Sequence, residues 1–136
     1  MRYMTIVKGP ESLAECGPPP AELIDAIGKL IEEAVNSGTM VSFGGLKPTS
    51  SGVRLRITNG TVTTTDGPFT EAKEVIGGFS IYNFASREEA LEEARRFTEL
   101  HRLHWPKWEG EIEIREMYEE EDDVRGTQIE ASRLLE

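Results

Sequence analysis

Between residues 21 and 36 apolar side chains recur at spacings of three and four: Leu23, Ile24, Ile27, Leu30, Ile31, Ala34 and Val35. That period predicts an amphipathic helix, and Gly38 stands where a left-handed C-terminal cap belongs. A second helical stripe runs through Ala90, Leu91, Ala94, Phe97 and His101. Ser86 and Glu89 form a capping box at its start, and Pro106 forbids continuation at its end. Elsewhere the period is two or the runs are short. Residues 3–7 and 40–43 are compact β-branched or apolar stretches, ended by Gly9-Pro10 and Gly44-Gly45. Val53, Leu55 and Ile57 alternate with Arg54 and Arg56, which predicts a half-buried strand with one basic face. Asn59-Gly60 then supplies the pair that tolerates both positive φ angles of a type I′ turn, with residues 61–65 returning as the partner strand. Asp66-Gly67-Pro68-Phe69 breaks that strand, and residues 70–76 read as a loop or short helical turn. Further strands are expected at 79–84, after Gly77-Gly78, and around Ile112 and Ile114.

The order β-α-β, hairpin, β-α-β is the split βαβ pattern of a ferredoxin-like α+β domain with an antiparallel sheet. Two helices on one face of such a sheet leave the other face uncovered. Strands 3–7 and 79–84 carry apolar residues in both phases, so pairing of two sheets in a homodimer is expected.

At 136 residues the chain suits a single domain, and no apolar run approaches the roughly 18 residues of a spanning helix. The opening residues lack the apolar core of a signal peptide, and Cys16 is the only cysteine, which excludes an internal disulfide. A cytoplasmic protein is the expectation. The net charge is -10, a balance that opposes binding to nucleic-acid phosphates or anionic membranes. Most of the excess lies in residues 116–136, so a domain over residues 1–117 and an acidic extension over 118–136 are expected. The extension pairs an acidic run with Ile129, Leu134 and Leu135, which fits a flexible linker followed by a short terminal helix; a wholly mobile tail fits the composition as well.

Residues 66–74 read Asp-Gly-Pro-Phe-Thr-Glu-Ala-Lys-Glu, followed by Val-Ile-Gly-Gly-Phe. This resembles the DGPF signature of the YCII-related family, DGPF-x-E-x-KE before a Gly-Gly-aromatic strand. The opening Arg-Tyr-Met, the Gly-Gly-Leu-Lys-Pro at 44–48 and the closing Gly-Glu-Ile-Glu-Ile-Arg extend the resemblance over residues 1–117. It implies a bacterial protein forming a dimeric α/β-barrel of ferredoxin-like subunits, the architecture of muconolactone isomerases and small monooxygenases. One branch of the family carries a His–Asp pair in its first half and includes an enzyme that removes chloride from a chlorinated hydroquinone. Here the first histidine is His101, so that pair has no counterpart. The resemblance also implies genes lying near those of extracytoplasmic-function sigma factors.

The candidate chemistry gathers around that signature. Asp66 is either a general acid or base at a cleft mouth, where partial burial raises a carboxyl pKa, or the acceptor of a turn. Glu71, Lys73 and Glu74 either bind an anionic substrate and tune a neighbour, or make a solvated ion-pair loop. His104 is a candidate proton carrier; it could equally be an exposed cation complementing a helix C-terminus. The family has histidine or cysteine directly before proline at this point, whereas Trp105 separates His104 from Pro106 here. His101 and His104 share a spacing that suits a metal, but two nitrogens without a third ligand do not make a site. Cys16 has no base nearby in the sequence and reads as a bystander. Phe43, Phe69, Phe79, Trp105 and Trp108 are candidates for an aromatic pocket, or ordinary core. Neither glycine pair has nucleotide-loop spacing, and no cofactor motif is present.

Two functions follow. One is a cofactor-free isomerase, lyase or dehalogenase with Asp66 as acid–base and Lys73 orienting an anionic or phenolic substrate. The other is a non-catalytic ligand-binding or regulatory protein acting beside a sigma factor. Burial of Asp66 against a pocket, or its exposure, separates them.

Overall fold

The chain runs β1 (Arg2–Gly9), α1 (Ala21–Ser37), β2 (Met40–Gly45), β3 (Val53–Thr58), β4 (Thr61–Asp66), β5 (Val75–Asn83), α2 (Arg87–His104) and β6 (Glu111–Glu116). These elements belong to a computed structural model in which residues 1–11 and 16–119 are described. The acidic run and the terminal helix expected beyond it lie almost wholly outside the described residues. Four strands form one antiparallel sheet in the order β2-β5-β1-β6, while β3 and β4 pair only with each other. This is the ferredoxin-like α+β arrangement, with a hairpin inserted between its second and third sheet strands.

Both helices cover one face of the sheet. Ala34 of α1 and Ala90 of α2 join Tyr3, Tyr82 and Phe84 in one buried cluster, with Met40 and Ile114 packed at its edge. Tyr3 pairs with Tyr82 across β1 and β5, and Thr5 pairs with Ser80, so these residues share the helix-covered face. The other face carries Met4 opposite Ile81 and Ile6 opposite Phe79. Lys8 on that face pairs with Glu113 and stands 3.6 Å from Glu111. The Glu113 carboxylate raises the Lys8 pKa, and Lys8 in turn holds Glu113 below the usual carboxylate range.

Helix α1 buries Leu23, Leu30 and Ala34, but Ile24 and Val35 are exposed. At 100° per residue both lie at the same edge of the apolar stripe, beyond the arc that the sheet and α2 cover. Gly38 caps the helix in the left-handed conformation, as its place in the sequence predicts. Helix α2 begins at the predicted cap: the Ser86 hydroxyl accepts from the Glu89 N–H at 3.2 Å. The Glu89 carboxylate accepts from Ala85 N–H at 3.0 Å, one residue before the expected donor.

Three expectations need correction. Strand β2 runs through Gly44-Gly45 instead of ending before them, since both pair with β5. Strand β5 starts at Val75, four residues early, because Gly77-Gly78 are held from both sides: Gly78 pairs with Val7 of β1 and with Gly45 of β2. A Cβ on Gly78 would stand 3.2 Å from the Gly44 carbonyl oxygen, so the glycines allow close strand approach instead of ending the strand. The hairpin turns at Asn59-Gly60 with φ of 51° and 75°, as predicted. It is not half-buried, however. Val53, Leu55, Ile57 and Val62 are 56–76% exposed, since nothing among the described residues covers their face.

Candidate functional site

The hairpin ends at Asp66, and the chain then folds back over a tight turn at Thr49–Ser51. Gly67 N–H donates to the Gly52 carbonyl at 2.9 Å. A Cβ on Gly67 would lie 1.7 Å from the Thr49 carbonyl oxygen, so only glycine fits beneath this turn. Thr49 joins three segments. Its N–H and its hydroxyl each donate at 2.6 Å to the two carboxylate oxygens of Glu11, and its hydroxyl accepts from Phe69 N–H at 3.1 Å. The Arg54 guanidinium lies 3.8 Å from the centre of the Phe69 ring and pairs with Glu71. The Glu71 carboxyl is held below its ordinary pKa by its own backbone N–H and by Arg54. These contacts hold in place Glu11, Phe69 and Glu71, which line a hollow of about 570 Å3 with Pro10 and Glu11 on one side and residues 68–73 on the other.

A second cluster closes the far end of α2. His101 is buried, its ring stacked on Phe97 at 4.7 Å and tilted against Trp108 at 4.8 Å. Its Nδ1 lies 3.0 Å from the Phe97 carbonyl. Burial pushes the imidazole pKa down, and that carbonyl offsets only part of the shift. Trp105 packs on Trp108 and donates its indole N–H to the Cys16 carbonyl at 2.9 Å. Trp108 lies against bare backbone, because a Cβ on Gly9 or Gly110 would meet its ring at 2.7 and 2.1 Å.

The family model for the YCII-related domain matches residues 1–102. The chain belongs to the YCII-related family. No curated protein matches it. The match stops within α2, yet β6 pairs with β1 along residues 111–116, so the sheet of this YCII-related domain includes a strand beyond the matched segment.

In this YCII-related chain the signature residues divide between two faces of the hairpin. Asp66 pairs with Val53, on the face of Leu55 and Ile57, and is exposed. Arg54 is on the opposite face, where it meets Phe69 and Glu71. Phe69, Glu71 and Lys73 share the hollow; Asp66 and Glu74 are absent from its lining. Phe43 lies elsewhere, lining a void with Phe97 between the helices and the sheet. His104, half-buried, is the last residue of α2, and Trp105 anchors the segment before α1. Among the described residues no three His, Cys, Asp or Glu side chains converge as a metal site.

Glu11, Thr49 and Arg54 shape the hollow without any local sequence signal. Arg54 reads as the basic face of a strand, and Glu11 lies 38 residues from the threonine it holds. Only the Lys-Pro-Thr at 47–49, just after the Gly-Gly-Leu of the family pattern, hints that this turn is special.

Proposed function

We propose that this YCII-related protein binds a small anionic organic molecule in the hollow beside residues 68–73, as a cytoplasmic homodimer. The observation that carries this is the charge of Lys73. It faces the hollow beside Phe69 and two prolines, and among the described residues no ion pair engages it. Glu71 is paired with Arg54, and both carboxylate oxygens of Glu11 are turned to the donors of Thr49. An apolar wall beside one available ammonium suits a carboxylate or phenolate on an apolar body.

Binding without turnover is the better-supported of the two functions. Asp66, the acid–base candidate for an isomerase, lyase or dehalogenase, is exposed on the hairpin face away from the hollow. His104 does not line the hollow either. A ligand sensor acting beside a sigma factor is the regulatory form of this reading.

A thermal-shift screen with aromatic carboxylates and phenols tests it. A ligand at 100 times its Kd adds about 2.7 kcal/mol, several degrees in a domain of this size. The shift is expected to vanish in Lys73→Ala and to persist in Asp66→Asn. An undiminished shift in Lys73→Ala removes the proposal. Turnover of a bound compound that Asp66→Asn abolishes restores the enzyme.

A further inference from the structure

A separate void of about 130 Å3 lies between the sheet and both helices. Ile27, Leu30 and Ile31 of α1, Phe97 of α2 and Val7 of β1 give it an apolar wall, and no charged side chain lines it. A space of this size lined by aliphatic and aromatic groups does not hold stable water, but it does accept a molecule as small as benzene. The lining has one polar spot, where the side chains of Ser80 and Tyr82 lie two residues apart on the helix-covered face of β5, 9% and 3% exposed. Phe43, on the edge strand β2, is the one exposed lining residue, at 53%, and marks the way in. A Cβ on Gly78 would stand 3.2 Å from the Gly44 carbonyl oxygen, so a side chain there would press on the neighbouring strand.

We infer that this void is a binding site for one uncharged, ring-sized molecule bearing a single hydroxyl or equivalent hydrogen-bonding group. The apolar wall takes the ring, and Ser80 with Tyr82 takes the polar group. The site is independent of the loop hollow, which presents a lysine and suits an anion.

Titrating the full chain with benzene and with phenol, while following the methyl resonances of Val7, Ile27 and Ile31, tests the assignment. Both probes are expected to shift these methyls saturably, with phenol binding roughly two- to tenfold tighter, the worth of one hydrogen bond. Ser80→Ala combined with Tyr82→Phe is expected to bring phenol to the benzene level. Val7→Phe, which fills the void, is expected to abolish the response to both. Should Val7→Phe fail to fold, the Ser80 and Tyr82 variant still decides. Unmoved methyls up to the solubility of phenol, or a phenol-to-benzene ratio unchanged in that variant, overturn the inference. Shifts confined to Thr70 and Ala72 place the ligand in the loop hollow and overturn it too.

Discussion

His101 sits between two rings, and its protonation state is tied to that packing. An imidazolium there would lose its hydration for the faces of Phe97 and Trp108, so burial holds the pKa below the ordinary 6.5. Above pH 6.5 the ring is neutral in both the folded and the unfolded chain, and its contribution to stability is complete. As the pH falls below 6.5, the unfolded chain takes up a proton that the folded chain refuses, and stability drops until the lower folded pKa is reached. Melting temperatures measured from pH 7.5 to 5.5 are therefore expected to decline. His101→Phe, which keeps a ring in the stack, should flatten the decline; an equal decline in that variant assigns the proton elsewhere. The window stays clear of Glu71, Glu99 and Glu113, whose lowered pKa values act under about pH 4.5. The helical stripe alone placed His101 toward the core. The same stripe carries Phe97, but Trp108 became a ring partner only where it returns over Gly9 and Gly110.

The helices show how local chemistry sets an element's ends. Helix α2 has a side-chain cap in Ser86, whereas α1 begins after Pro20 with no side-chain hydrogen bond at all. Replacing Ser86 with Ala removes an acceptor from one of the first helical N–H groups and is expected to cost about 1 kcal/mol. Urea denaturation should show a lower midpoint at unchanged slope. A loss of under a few tenths of a kcal/mol would mean that Glu89 carries the cap through Ala85. Strand β5 makes the contrasting case: a glycine pair reads as punctuation in isolation, but two flanking strands supply the hydrogen bonds that extend the strand through it.

At the scale of the whole molecule the hairpin is the unsolved surface. Val53, Leu55, Ile57 and Val62 form one exposed apolar face of the hairpin, and on the helix-free side of the sheet lie the half-buried Met4, Ile6, Phe79 and Ile81. Isolated exposed apolar residues need no explanation, but a contiguous face does. We propose that a second copy of the chain covers it, and Asp66 then lies at that contact because it shares the face of Val53. Light scattering at micromolar concentration should give twice the 15.2 kDa chain mass, and Ile57→Asp should return it to one. A monomeric parent protein removes the homodimer.

Periodicity and turn chemistry, which act over a few residues, determined from the sequence alone both helices, the Asn59-Gly60 hairpin, the antiparallel α+β order and, through the long signature at 66–74, the family. Contacts between distant segments were left to the tertiary structure. It decided that Glu11 grips Thr49, that Arg54 covers Phe69, and that Asp66 and Lys73, seven residues apart, serve different surfaces. The last of these has the plainest physical cause. Alternation along β3 and β4 assigns Asp66 to one face of the hairpin, whereas the loop after Gly67 folds back under Arg54 on the other, and neighbours in sequence part at that turn.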